Sequence, residues 1–122
     1  MRDKEAHITA VEMKALVDNL PRGECILVGF WREPVQASAA YKVFASSAFE
    51  LSSDCSIAWS ASAPGKEDPA AAELGSKDVP GLAVVSRSSV LGTTAIATTK
   101  LPRNKAEFTT DFIAAFVQKH AP

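Results

Sequence analysis

Residues 26 to 38, ILVGFWREPVQAS, decide the fold. Taken with Cys25, the run CILVGFW (25–31) is apolar at both alternating sets of positions, the pattern of a strand covered on both faces. Pro34 ends it, because proline has no amide to give to a sheet ladder. Beyond Pro34, Tyr41, Phe44, Ala48 and Leu51 recur at helical spacing, which predicts a helix over about 35–51. A buried strand leading directly into a helix is the unit of a layered α/β protein.

The rest of the chain alternates in the same way. HIT (7–9) reads as a short first strand, and Thr9 with Glu12 forms a capping box for a helix that follows. Met13, Leu16, Val17 and Leu20 give that helix one apolar face, and Pro21 and Gly23 close it. CSIAWSA (55–61) is a further strand, and both Trp31 and Trp59 read as core or core-edge packing. After a loop containing the solvated turn Lys66, Glu67 and Asp68, Asp68 and Pro69 provide N-cap and first residue of a short Ala-rich helix that Gly75 ends. GLAVVSR (81–87) and TTAIATT (93–99) lie close enough to form a hairpin through Gly92. Asn104 as N-cap and Glu107 three residues on open a last helix, whose apolar face is Phe108, Phe112, Ile113, Phe116 and Val117. The order β-α-β-α-β-α-β-β-α implies a mixed central sheet with helices on both faces. Its length of 122 residues suits a single domain, with a core over about 7–120.

Composition removes several classes of function. Apolar residues are 47% and charged residues 22%, with net charge −1, so there is no basic footprint for nucleic acid or anionic lipid. The longest apolar run is too short to span a membrane. MRDKEAHITA has no apolar centre for a secretory signal, although a leader would lie upstream if the chain is a fragment. The Ser and Thr residues near 86–94 have no His and acid placed to form a triad, and the dispersed glycines form no phosphate cradle, so no cofactor is expected. Cys25 and Cys55 form no Cys-x-x-Cys and lack partners for a zinc site. Adjacent parallel strands would bring their Cα atoms to about 5 Å, yet side chains so arranged seldom meet at the disulfide dihedral. Two free buried thiols are therefore expected, with a disulfide as the alternative.

The element order, ILVGFW entering a helix, VPGLAVV starting the penultimate strand and the closing FTTDFIAAFVQKH together resemble the thioredoxin fold, a three-layer sandwich. VGFW with a polar stretch and YKVFASSA, and the terminal DFI helix, are similar to the non-catalytic b-type domains of protein disulfide isomerases. The resemblance places a Cys-x-x-Cys at Val35, Gln36, Ala37 and Ser38, where no thiol stands. Thiol–disulfide exchange needs an attacking thiolate and a resolving thiol, and neither is there. It also places a buried carboxylate at Gly29. Val79, Pro80 and Gly81 are similar to the segment in which a cis-proline faces the active-site loop and offers backbone groups to an extended peptide.

The resemblance thus implies a redox-inactive, non-enzymatic module that binds or spaces protein segments, within a disulfide-isomerase-like chain in the endoplasmic reticulum lumen. Its expected binding surface is a groove of Trp31, Glu33, Pro34, Val35, Gln36 and Ser38 facing Val79, Pro80 and Gly81. Unfolded clients or partner proteins are the expected ligands, and the isolated domain is expected to be a monomer. Two other readings stand beside it: a thiol–disulfide oxidoreductase using Cys25 or Cys55, and a free-standing cytosolic adaptor.

Overall fold

The structure, a computed structural model, is described for residues 5–7, 10–51 and 55–122. Strands β1 (Glu5–His7), β2 (Cys25–Arg32), β3 (Ser56–Ser62), β4 (Gly81–Arg87) and β5 (Thr94–Lys100) form one sheet in the order β1-β3-β2-β4-β5. β1 and β2 run parallel to β3, β4 runs antiparallel to β2, and β5 antiparallel to β4. Helices α1 (Ala10–Asp18) and α3 (Pro69–Glu73) pack together on one side, α2 (Ala39–Leu51) and α4 (Thr110–His120) on the other. This is the mixed sheet between two helical layers that the alternation implied.

The period-2 geometry of β2 builds two cores at once. Ile26, Val28 and Phe30 point toward Met13, Leu20, Ala70 and Ala71. Cys25, Leu27 and Trp31 point the other way, toward Phe44, Ile113 and Val117. The central β4 repeats the division, with Ala83 and Val85 on the first side and Leu82 and Val84 on the second. Leu16, expected on the apolar face of α1, is 40% exposed. The first strand ends at His7, and positions 8 and 9, including the Thr9 of the capping box, lie outside the described residues.

The helix α3 forms where its local signals put it. Asp68 accepts from the amides of Ala70 at 3.0 Å and Ala71 at 3.3 Å, and Pro69 fills the first turn. Gly75 takes φ +75°, a left-handed conformation that glycine adopts without a Cβ penalty. Lys66 and Glu67 are exposed, but Asp68 is buried, which corrects the reading of all three as a solvated turn. It is buried because Ser60 of β3 donates to its second oxygen at 2.8 Å, fastening the helix to the sheet. Asp68→Ala is expected to lower stability by about 2 kcal/mol in urea titration, since two helix amides and a buried hydroxyl lose their acceptor. Asp68→Asn should recover about half of that loss. An alanine variant within about 0.5 kcal/mol of the parent would show that the cap does not hold α3.

Three expectations are corrected. The segment 35–51 is not one helix: a 3-10 turn at Val35–Ala37 is followed by extended Ser38, and α2 begins at Ala39. Asn104 caps a 3-10 turn at Lys105–Glu107, whereas α4 starts at Thr110, with Thr109 accepting from the amide of Phe112. Between them the chain stays extended at Phe108, which buries its ring against Trp31. Lastly, Cys25 and Cys55 are joined in a disulfide, with Cα atoms 4.8 Å apart. The objection to a bridge assumed that both residues sit on the parallel ladder. Cys55 precedes β3 in a bend, its amide bonded to Leu51 O at 3.2 Å, so its side chain is free of the strand pleat.

Candidate functional site

At the end of β2 the chain is held to β3 before it turns. Arg32 donates to Ser62 Oγ at 2.7 Å, to Ala63 O at 3.2 Å and to Lys66 O, and the amide of Glu33 donates to Ser62 O at 2.9 Å. Pro34 follows through a cis peptide bond that the sequence gave no reason to expect. The 3-10 turn then closes with Ala37 N donating to Pro34 O and Ser38 N to Val35 O. Ser38 Oγ accepts from Tyr41 N at 3.1 Å and so caps α2. Of the four motif positions, Val35 is buried, Gln36 and Ala37 are exposed, and Ser38 uses its hydroxyl as a helix cap.

Trp31 belongs to the core and not to the groove. It is fully buried among Tyr41, Phe44 and Phe108, with ring centroids 5.9, 5.4 and 6.4 Å away, so it offers no surface to a ligand. Its indole lies over Gly29: a Cβ built there would stand 2.6 Å from Trp31 Nε1. The space in which the resemblance expects a carboxylate is therefore filled by this ring. Among the described residues Trp31 Nε1 has no hydrogen-bond partner.

The Val79–Pro80 peptide is cis, as the resemblance implied. The register of β4 with β5 sets Gly81 opposite Lys100, so the residues that leave β5 emerge beside Pro80. Pro80 and Ser38 thus line one cleft of about 310 Å³ with Val43, Leu101, Arg103 and Lys105. Arg103 and Lys105 are exposed, and no carboxylate lines this cleft. The other groove residues fall elsewhere. Glu33, Pro34, Val35 and Gln36 face Trp59 and Ala61 across a hollow of about 470 Å³. Val79 lines a third, of about 380 Å³, with Arg32 and Asp68, and Gly81 is buried in β4. The expected single groove is three hollows.

Leu101, Arg103 and Lys105 were not singled out from sequence, although one signal was available. A hairpin of equal strands puts the residues after its second strand beside those before its first. No group of three or more His, Cys, Asp or Glu side chains among the described residues could hold a metal ion. No described helix is long and apolar enough to cross a membrane.

No family model matches the chain, and no curated protein sequence is similar to it. Solved structures are. The J-Trx1 fragment of ERdj5 superposes with a TM-score of 0.65 at 18% identity over 97% of this chain, which spans 50% of that fragment's length. The Trx4 domain of ERdj5 superposes with a TM-score of 0.63 at 11% identity, covering 97% of this chain and 96% of that domain. At such identities the likeness concerns architecture, and it shows that this chain has the thioredoxin fold.

Proposed function

We propose that this module is a redox-inactive, b-type domain of a disulfide-isomerase-like protein, and that it binds extended protein segments at the cleft between Ser38 and Pro80. The observation that carries the reading is the cleft itself. An apolar lining from Val43, Pro80 and Leu101 adjoins two exposed cations, Arg103 and Lys105, and none of the residues lining the cleft is acidic. Such a surface favours a client stretch that mixes apolar and acidic residues. The missing thiols at positions 35–38 and the indole in place of a carboxylate support a domain without exchange chemistry. The only two cysteines are bonded to each other and buried, which argues against either as an exposed, low-pKa nucleophile. That bond also favours an oxidising compartment such as the endoplasmic reticulum lumen over the cytosol.

The test is amide shift mapping with an unfolded peptide rich in Leu, Asp and Glu, against its Asn and Gln counterpart. Shifts are expected at Ser38, Ala40, Val43, Leu101 and Arg103, with affinity roughly micromolar or weaker because one small cleft buries little area. Arg103→Glu combined with Lys105→Glu should weaken the acidic peptide about tenfold and leave the neutral one unchanged. Shifts confined to the exposed side of α4, or turnover of a disulfide substrate that Cys25→Ser abolishes, would overturn the proposal.

A further inference from the structure

The sheet ends at β5, and the stretch that carries most of it reads the same in both directions. Residues 93–99 are Thr-Thr-Ala-Ile-Ala-Thr-Thr, a palindrome centred on Ile96. Among the described residues the strand lies at the edge of the sheet, with β4 its one neighbour. Natural edges are usually blunted by charge, proline or shortness. This edge has seven residues, no proline, and Lys100 at its end as its one charge. Its side chains are exposed or half-buried, Ile96 being 43% exposed, and Val90 and Leu91 stand open at the adjoining turn.

We propose that a second copy of this chain docks here, β5 against β5, antiparallel about a two-fold axis through Ile96. Any strand paired antiparallel with its own copy is two-fold symmetric, and centring this one on Ile96 sets Thr opposite Thr and Ile opposite Ile, cross-strand pairs that favour association. Ile96 meets Ile96, Ala95 meets Ala97, Thr94 meets Thr98 and Thr93 meets Thr99. Continued outward, the register sets Lys100 against Gly92, so no cation meets its own copy.

The backbone agrees. Ser88 N donates to Thr93 O at 2.9 Å, which fixes the parity of the β4–β5 ladder. By alternation the amides of Ala95 and Ala97 face β4, and those of Thr94, Ile96 and Thr98 face outward. Pairing about Ile96 lets Ile96 with Ile96, and Thr94 with Thr98, exchange all of their outward hydrogen bonds.

The helices leave room. The two α4 helices fall on the same side, each packed over its own β4. The two β4 strands are then three strand spacings apart, about 14 Å, more than packed helices need. The contact is small beside standard interfaces, so the dimer is weak, with Kd roughly tens of micromolar. A dimer of this kind departs from the monomer expected of the isolated domain.

The test is sedimentation equilibrium of the full chain from roughly micromolar to millimolar concentration, paired with residue-resolved hydrogen exchange. A monomer–dimer equilibrium is expected, in which Thr94, Ile96 and Thr98 amides become protected with concentration. Ala95 and Ala97 should be protected throughout. Ile96→Lys, at an exposed site, should weaken the dimer about a hundredfold by setting like charges on the axis. Thr94→Lys with Thr98→Glu should dimerise several-fold more tightly than either single change, because only this register opposes the two positions. A single monomeric species over the whole range would overturn the proposal. So would a dimer in which exchange at Thr94, Ile96 and Thr98 does not change.

Discussion

Replacing Cys25 and Cys55 together by alanine is expected to lower the unfolding free energy by about 3 kcal/mol and the Tm by about 10 °C. The bond spans a sequence separation of 30, and a closed loop of that size removes roughly 3.5 kcal/mol of chain entropy from the unfolded ensemble. It ties the first residue of β2 to the bend that delivers β3, so the loop it closes contains α2. Both half-cystines are buried against Leu27, Leu51 and Ile57, so alanine also forfeits some packing. Burial sets a second expectation. A thiol reagent should find no reactive group in the native protein and two after reduction in denaturant. The measurement is a pair of thermal melts, parent and double variant, alongside thiol counts. Equal midpoints with two thiols titrating in the unreduced parent would show that the bond is not part of the folded protein.

How far the sequence carried depended on whether a feature was local. Asp68, Pro69 and Gly75 each act through their own backbone neighbours, and α3 formed between them as read. β2 and β4 were legible because both alternating sets are apolar, and nothing but a central strand buries both. The last helix was not settled locally. Asn104 and Thr109 are both good caps, and burial of Phe108 against Trp31 makes the chain use both, the first for a 3-10 turn and the second for α4. Ser38 posed the same problem: read as a helical position, it is the cap that starts α2. The disulfide depended on Cys55 leaving the ladder one residue before β3, which spacing cannot reveal. Of the candidate site, sequence located Ser38 and Pro80 at opposing loops. It missed Leu101, Arg103 and Lys105, which reach the cleft through the register of a hairpin twenty residues long (81–100).

Gly29→Asp, which puts a carboxylate where the sequence resemblance expects one, is expected to destabilise the protein by about 4 kcal/mol or more. Gly29 lies mid-strand in β2, paired with Trp59 of β3 and Leu82 of β4, on the same face as Leu27 and Trp31. A Cβ there meets Trp31 Nε1 at 2.6 Å and Cε2 and Cζ2 at 2.9 Å, so the indole must move. It has nowhere easy to go, being fully buried against Phe44 and Phe108. Aspartate adds to the clash a carboxylate carried into an apolar cluster away from water. Gly29→Ala separates the two effects: the clash alone should amount to about 2 kcal/mol. A Trp31→Phe background tests its origin, because a phenyl ring lacks the indole nitrogen and the far carbon that the new Cβ would strike. Gly29→Ala should be at least about 1 kcal/mol milder there, a coupling read from a double-mutant cycle in urea. If the two substitutions are additive, the indole is not what occupies this space. If they are coupled, the small residue on β2 and the large ring two positions later are one adaptation: together they fill, with packing, the place where the sequence resemblance expects an acid.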